Sequence, residues 1–418
     1  MKAGEVFTPG SLPQYTYNER AELNLEWKLL NSIETKGFIS SVSGPSKSGK
    51  TVLCETVIGK RKMLLVTGGG MSSGAVFWQK LRSRLGLPLQ WTESKSHGVE
   101  TGIGATASAG IQIPLVAKGG GAIQGSLTGS SGAEESRQYA GPDGVELLEY
   151  IASQGITLVV DDFHYIERSV QKSLAEQFKE AARAGASIVV VSVSHRSDES
   201  IRANPDLRGR VVTIDIPYWK PQELRVIAEK GFPLLNVRPD VSLVDGLVAE
   251  SVSSPQLMQA LCLQLCHDAR IESALHESTQ LNLTAQQREA LFRNATSLAN
   301  CKTAFDIIIT GPKSRGSERR MYRLKDGKTG DVYSVILKAL AFGDPLLTLP
   351  YAMIKARVDA LVPVDPPRGI GIIQALQQMG KAVKEKLGED RVLEWDEEKE
   401  MLNIPDPYFL YYVRWSDW

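Results

Sequence analysis

The chain has 418 residues, of which 42% are hydrophobic and 23% charged, and its formal net charge is zero. This length and composition predict two or three domains of an ordinary globular protein. A neutral chain has no overall electrostatic attraction to nucleic acid or to a membrane surface, and 4 scattered cysteines exclude a disulfide scaffold. No stretch reaches the roughly 20 apolar residues of a membrane-spanning helix, so a cytoplasmic protein is expected.

A helix is predicted ahead of the first strand, because Leu23, Trp27 and Leu30 recur at helical spacing. Two roles are open for this helix. It either covers the adenine side of a nucleotide bound by the segment that follows, or it serves only for packing.

The stretch 38–51 reads FISSVSGPSKSGKT. A short apolar run suited to a buried strand precedes G-x-x-x-x-G-K-T, the phosphate loop of nucleotide hydrolases. Gly44 and Gly49 allow a tight turn whose successive N–H groups point into one concavity, and residues 52–58 can form the helix whose positive end meets the phosphates. Lys50 is predicted to reach the β- and γ-phosphates of ATP, and the Thr51 hydroxyl to hold Mg2+. The predicted nucleotide-binding residues of this stretch are Gly44, Pro45, Ser46, Lys47, Ser48, Gly49, Lys50, Thr51 and Val52.

An insertion is predicted after the second strand (62–67) and its amphipathic helix (76–85). Between about 98 and 132, small or apolar residues alternate with polar ones around a run of three glycines at 119–121, a pattern typical of a β-hairpin. Three interpretations of this hairpin are open. It is a flexible insertion, an oligomerisation element, or a membrane-inserting hairpin, since alternating strands also mark membrane barrels.

Two acids, Asp161 and Asp162, follow the apolar run 156–160. A buried parallel strand would carry them to the carboxyl edge of the sheet, where open α/β sheets bind ligands. Asp161 is predicted to belong to the Mg2+ shell, and Asp162 to orient or polarise the attacking water. An ordinary strand that ends in an acidic turn is the alternative.

A further buried strand is predicted over 186–193, with Ser194 and His195 at its polar tip. These two residues either lie near the γ-phosphate and report its presence, or only begin a loop. The next loop carries Arg208 and Arg210, and one of them could reach the γ-phosphate of a neighbouring subunit and stabilise transition-state charge. Solvated arginines are the alternative.

The strands that alternate with helices predict an α/β P-loop NTPase core with a parallel sheet over 1–217. A helical lid is predicted over 218–310, a basic linker over 311–330 and a winged-helix domain over 331–418. The basic run 312–325 either contacts nucleic-acid phosphates or is a solvated linker. The predicted three helices and hairpin of the last domain resemble helix-turn-helix DNA readers, but a protein-packing or autoinhibitory role is equally open.

The order of these motifs resembles the AAA+/STAND class of P-loop ATPases: a helix that begins at Arg20, GPSKSGKT, LVVDD, a polar-tipped strand, an arginine loop and a helical lid. The closing stretch Ile404–Trp415 is similar to the tail of the archaeal and bacterial ATPase group within STAND, where Asp-Pro and an aromatic-rich stretch close a winged helix. AAA+ lids often carry an arginine where this chain has Ser254 and Pro255.

The resemblance implies ATPase roles for Lys50, Thr51, Asp161 and Asp162, and an arginine finger at Arg208 or Arg210. It also implies a switch in which ATP favours an open, oligomerising state and ADP a closed monomer. The leading hypothesis is therefore a slow, self-assembling Mg-ATPase in bacterial signalling or antiphage defence, acting with a separately encoded effector or sensor. The alternatives are a DNA-binding ATPase, such as a loader or transposition regulator, and a membrane-perforating effector that uses the 98–132 hairpin.

Overall fold

A computed structural model of the chain describes residues 1–71, 73–86, 144–193, 207, 209–312, 319–388 and 392–418, together with the backbone of 91–94 and 136–139. The chain divides into two units by contact. The sheet unit consists of Trp27–Ser43 and Val57–Ile214, and the helical unit of Met1–Glu26, Gly44–Thr56 and Asp215–Trp418. The domain bounds drawn from the sequence stay predictions.

The described part of the chain alternates strands and helices in its first half and is mainly helical in its second. Its strands are β1 (Ile39–Gly44), β2 (Met63–Thr67), β3 (Trp91–Ser94), β4 (Ser136–Tyr139), β5 (Thr157–Asp161), β6 (Ile188–Val193), β7 (Val211–Asp215), β8 (Val237–Pro239), β9 (Thr279–Leu281), β10 (Tyr322–Arg323), β11 (Thr329–Gly330), β12 (Thr348–Pro350), β13 (Glu394–Asp396) and β14 (Met401–Asn403). Its helices are α1 (Ala3–Val6), α2 (Leu25–Glu34), α3 (Lys50–Ile58), α4 (Gly74–Arg84), α5 (Gly144–Ser153), α6 (Arg168–Arg183), α7 (Pro221–Leu234), α8 (Val241–Glu250), α9 (Pro255–Asp268), α10 (Ala285–Asn294), α11 (Lys302–Thr310), α12 (Val332–Ala341), α13 (Tyr351–Leu361), α14 (Gly369–Leu387) and α15 (Pro407–Trp415).

The sheet unit is built on a five-stranded parallel sheet with the strand order β2-β5-β6-β1-β7. Strands β1, β5 and β6 are buried along nearly their whole length, as expected for parallel strands covered on both faces. The sequence predicts four of the five strands. It misses β7 because this edge strand is only partly buried and lacks a continuous apolar run.

Helices α4, α5 and α6 contribute to the same hydrophobic core as the strands. Phe77 of α4, Leu148 of α5 and Phe178 of α6 are almost completely buried. The rings of Phe77 and Phe178 lie 5.7 Å apart, centroid to centroid. The apolar face predicted for α4 is therefore the face that packs inward.

The predicted packing face of the helix ahead of β1 is wrong. Asn24 adopts a left-handed conformation with φ 51°, which ends a short 3-10 turn over Ala21–Leu23 before α2 begins at Leu25. Because of this break, Leu23 does not belong to the same helix as Trp27 and Leu30, and the helical spacing of the three residues does not place them on one face. As a result Trp27 is 64% exposed and Leu30 is 42% exposed, whereas Leu29 is buried.

The helical unit has one large core that helices α7 to α15 share with the N-terminal segment. The Phe7 and Phe232 rings lie 4.9 Å apart, and Gly231 accommodates them because a Cβ there would lie 2.3 Å from the Phe7 ring. Cys262 and Cys266 are completely buried in α9. Burial raises the pKa of the Cys266 thiol to about 12 and that of Cys262 well above its usual value, so both are core thiols.

The C-terminal part of this unit contains the three helices predicted from the sequence, α12, α13 and α14, and the predicted hairpin β13–β14. Strand β12 pairs with β14 and extends the hairpin to three antiparallel strands. The sequence does not predict β12, because three residues between two helices carry no alternation. Helix α15 follows, and its Tyr411 is buried and donates a hydrogen bond to the Phe292 carbonyl at 2.7 Å.

Several predicted features lie outside the described residues. They are the 98–132 hairpin, Ser194, His195, Arg208 and the section 313–318 of the basic run. Strands β3 and β4, which flank the predicted hairpin, pair antiparallel from Trp91↔Tyr139 to Ser94↔Ser136. None of the described helices has the length and apolar composition needed to cross a bilayer.

Candidate nucleotide-binding site

The phosphate loop occupies the structural context that its motif requires. Strand β1 ends at Gly44 and α3 begins at Lys50. Between them, Lys47 and Gly49 adopt left-handed conformations, with φ of 59° and 94°. Left-handed residues set among right-handed ones turn successive N–H groups toward one concavity, and the N-terminus of α3 adds its positive dipole. This geometry suits an anion such as a phosphate group.

The two motif glycines are required for different reasons. At Gly44 a Cβ would lie 2.8 Å from the carbonyl oxygen of Ile216 and 2.9 Å from its Cβ, so a larger residue would displace the backbone. At Gly49 no atom lies within 4 Å of a built Cβ, and the φ of +94° is what favours glycine.

The side chains of the loop match a polyphosphate that carries Mg2+. Lys50 is 8% exposed, and its Nζ donates to the carbonyls of Gly44 at 3.1 Å and Pro45 at 2.6 Å. Thr51 occupies the first turn of α3. The buried Ser48 hydroxyl has no hydrogen-bond partner in the described part of the chain. A buried ammonium, two hydroxyls and a nest of N–H groups form a donor set suited to phosphate oxygens, and a threonine hydroxyl suits Mg2+.

In the sheet unit, Asp161 is the last residue of β5 and Asp162 begins the turn that follows. Asp162 has a φ of 53°, and its N–H donates to Asp161 Oδ1 at 2.9 Å. The Asp161 carbonyl accepts from the Gly68 N–H at 2.7 Å, just beyond the end of β2. Because the strands are parallel, β1 and β5 both end at the same edge of the sheet, where such sheets bind ligands.

Gly68 sets how closely the end of β2 approaches these acids. A Cβ on Gly68 would lie 2.4 Å from the Asp162 carbonyl oxygen and 3.0 Å from Ile166 Cγ1. Both acids are half-buried. The sequence motif identifies the acids, but it does not identify Gly68 as the residue that allows their backbone to lie there.

Arg210 lies beside the first residue of β1. Its carbonyl accepts from the N–H of Ile39, the first residue of β1, at 2.9 Å. The role of Arg210 as an arginine finger stays a prediction.

Arg20 contacts the segment 217–219, and Trp219 of this segment hydrogen-bonds to the phosphate loop. The buried Arg20 guanidinium pairs with Glu223 at 2.9 Å and donates to the carbonyls of Pro217 at 3.0 Å and Tyr218 at 3.1 Å. It also stacks 4.8 Å from the Trp219 ring centroid. Trp219 Nε1 in turn donates to the Ser48 carbonyl at 2.9 Å. The sequence marks the Arg20 segment but not these contacts.

Lys47 joins the phosphate loop to the C-terminal helix α15. Its Nζ contacts both carboxylate oxygens of Asp406, at 2.7 and 2.9 Å, and lies 4.3 Å from the Tyr408 ring centroid. The Lys47 carbonyl accepts from Ser254 Oγ at 3.4 Å, and this hydroxyl also caps α9. Sequence reasoning missed all three partners. In the sequence, the Asp-Pro at 406–407 points to this region, but it does not indicate a contact with the loop.

Two arginines of the basic run are held by internal contacts. Arg319 pairs with Asp331 at 2.7 Å and stacks on Tyr333 at 4.8 Å. Arg320 pairs with Asp365 and lies 5.2 Å from the Tyr322 ring centroid. Both guanidinium groups thus have carboxylate partners within the helical unit, and their contact with nucleic-acid phosphates stays a prediction.

Comparison with known proteins gives likenesses of structure only. No family model matches the chain, and no curated protein matches it. Matching solved structures include Cdc6p from Pyrobaculum aerophilum, with 11% identity, coverage of 98% of this chain and 96% of that chain, and a TM-score of 0.39. A Walker-type ATPase of Pyrococcus abyssi has 11% identity, 94% and 95% coverage, and a TM-score of 0.47. The RuvB Holliday junction branch migration motor of Thermotoga maritima has 10% identity, 93% and 92% coverage, and a TM-score of 0.39.

At these identities and scores the likenesses carry no functional conclusion. The fold is established by the chain's own elements: a phosphate loop that joins β1 to α3, and a five-stranded parallel sheet. The fold class expected from the sequence is thereby confirmed. The chain has the P-loop NTPase fold.

Proposed function

We propose that this chain is a slow Mg-ATPase that works as a switch and assembles into homo-oligomers when it binds ATP. The observation that carries the proposal is the phosphate loop, in which the left-handed residues Lys47 and Gly49 shape the turn and Lys50 and Thr51 occupy the first turn of α3. The resemblance to STAND ATPases supports a role in bacterial signalling or antiphage defence, with a separately encoded effector or sensor as partner.

Each polar group of the site has one task in this proposal. The loop N–H groups and Lys50 bind the phosphates and stabilise the negative charge that develops on them. Thr51 and Asp161 would hold Mg2+, whose charge offsets that of the phosphates. Asp162 accepts a hydrogen bond from the attacking water and orients it for in-line displacement.

The proposal includes a site completed by a second copy. An arginine finger at Arg210 would act on the nucleotide of a neighbouring subunit and stabilise the charge that develops there. Arg208, two residues earlier, remains the other candidate.

ATP binding and phosphate release by purified protein test the ATPase. We expect Lys50→Ala to weaken ATP binding strongly, because the loop loses the buried ammonium of the first turn of α3. We expect Asp162→Asn to keep ATP binding and to lower turnover by about a hundredfold, since a neutral amide accepts a weaker hydrogen bond from the attacking water and polarises it less than a carboxylate does. Calorimetric titration measures the first effect and a phosphate-release assay the second.

The matched control is Lys60→Ala, which removes an exposed lysine just beyond α3. It has the same change of charge and should leave binding and turnover unaltered. Equal ATP binding by wild type and Lys50→Ala, or full turnover by Asp162→Asn, would contradict the proposed site.

A further inference from the structure

A residue of the phosphate loop is tied to a helix 359 positions further along the chain. The Lys47 ammonium sits between the two Asp406 oxygens and the face of the Tyr408 ring. The Lys47 and Asp406 side chains are 29% and 21% exposed, so the pair is shielded from water for most of its surface. Ion pairs in such positions are screened less than fully exposed ones.

Asp406 has a second task in the same place. Its Oδ1 accepts from the Tyr408 N–H at 2.9 Å, and it is the N-cap residue of α15. Tyr408 itself is 6% exposed. Burial raises the pKa of the Tyr408 hydroxyl, and the neighbouring Asp406 charge adds to this effect, so the ring stays neutral. The first turn of α15 is thus fastened directly to the loop.

The pair lies against a feature that favours anions. Lys47 is one of the left-handed residues that shape the N–H nest, so its charge would add to the attraction for phosphates. Asp406 cancels this charge and places a carboxylate beside the loop. A polyphosphate bound in the nest would be attracted to Lys47 and repelled by Asp406.

We infer that a bound nucleoside polyphosphate and Asp406 compete for Lys47, so that nucleotide binding releases the first turn of α15 from the phosphate loop. This inference rests on the proposed function, and it names the residues through which the nucleotide controls the C-terminal helix. Coupling between two sites is reciprocal, so removal of the Asp406 charge must tighten nucleotide binding by the factor with which the nucleotide weakens the pair.

The first test is the affinity for ATP of Asp406→Asn, measured by calorimetry beside the wild type. Asparagine caps helices as well as aspartate does, so the start of α15 is kept while the charge is lost. We expect about fivefold tighter ATP binding, the scale of a partly exposed ion pair.

The matched control is Asp331→Asn, which removes the charge of another N-cap aspartate in an ion pair, at the start of α12. It should leave the affinity for ATP unchanged. Thermal unfolding of both variants checks that each is folded.

The second test is amide hydrogen exchange at Tyr408 and Phe409, whose N–H groups donate to Asp406. In the wild type, saturating ATP should speed exchange of these two amides several-fold. In Lys47→Ala the exchange should already be fast without ATP and change little when ATP is added.

The results distinguish a failure of the competition for Lys47 from a failure of the proposed ATPase. If the wild type binds ATP but Asp406→Asn binds it no more tightly, or exchange in α15 does not respond, the competition for Lys47 is wrong and the ATPase proposal stands. If the wild type binds no ATP, both are overturned.

Discussion

At the scale of single residues, the backbone position of Asp161 and Asp162 depends on Gly68, which directly follows β2. Gly68 leaves room for the Asp162 carbonyl, which would otherwise lie 2.4 Å from a Cβ. The next residue, Gly69, has no atom within 4 Å of a built Cβ. Alanine at Gly68 would therefore test the steric requirement, and alanine at Gly69 the general effect of replacing a glycine.

We expect Gly68→Ala to lower ATP turnover by about tenfold or more, because the overlap shifts the backbone of Asp162 and misplaces its carboxylate. ATP binding should change less, since the nest and Lys50 are untouched. Steady-state phosphate release and calorimetric ATP titration measure the two effects. Gly69→Ala, as the control, should keep wild-type turnover, and equal turnover by the two variants would show that the close approach does not matter.

Residues that act through a local motif could be predicted from the sequence. The phosphate loop follows from the spacing of Gly44, Gly49 and Lys50, because the motif itself specifies the backbone that presents the N–H groups. Gly68 could not be predicted in this way. Its requirement depends on the approach of Asp162, and the packing between β2 and β5 decides that distance.

At the scale of elements, helix α15 is held to α8 by a buried ion pair. Arg414 binds both Glu250 oxygens, at 2.9 and 2.7 Å, and donates to the carbonyls of Ala341 at 2.5 Å and Gly343 at 2.7 Å. Trp415 Nε1 also donates to Glu250 at 2.7 Å. The Arg414 and Glu250 side chains are each 11% exposed. Loss of either partner leaves a buried, uncompensated charge.

Arg414→Met should destabilise the chain by about 3 kcal/mol, since it keeps most of the side-chain volume but leaves the buried Glu250 carboxylate without a positive partner. Urea denaturation followed by tryptophan fluorescence should show a lower midpoint. The control is Arg293→Met, because Arg293 is 46% exposed and pairs at the surface with Glu289 and Asp417. It should unfold at the wild-type urea concentration, and an equal shift in both variants would exclude a special role for the buried pair.

Elements with a strong period were predictable, and those shaped by their neighbours were not. The buried strands and helix α4 follow from apolar runs and helical spacing. The inward face of α2 does not, because one left-handed residue, Asn24, resets the helix after Leu23. Strand β12 forms only because β14 is available to pair with it.

At the scale of the whole molecule, the contact between Lys47 and Asp406 joins residues near opposite ends of the chain. No local sequence pattern predicts this contact, because Lys47 and Asp406 belong to different motifs. The sequence supplies each motif separately: a phosphate loop and an Asp-Pro before an aromatic-rich helix. The structure shows that Lys47, a loop position whose residue type the motif leaves open, is the one that binds Asp406.

The central claim is that ATP bound at the phosphate loop drives self-assembly. Light scattering coupled to size-exclusion chromatography, with and without Mg2+ and a slowly hydrolysed ATP analogue, tests it most directly. Wild type should be a monomer alone and a defined oligomer with the analogue, whereas Lys50→Ala should stay a monomer and Lys60→Ala should assemble. Assembly that is independent of the analogue, or equal assembly by Lys50→Ala, would contradict the account.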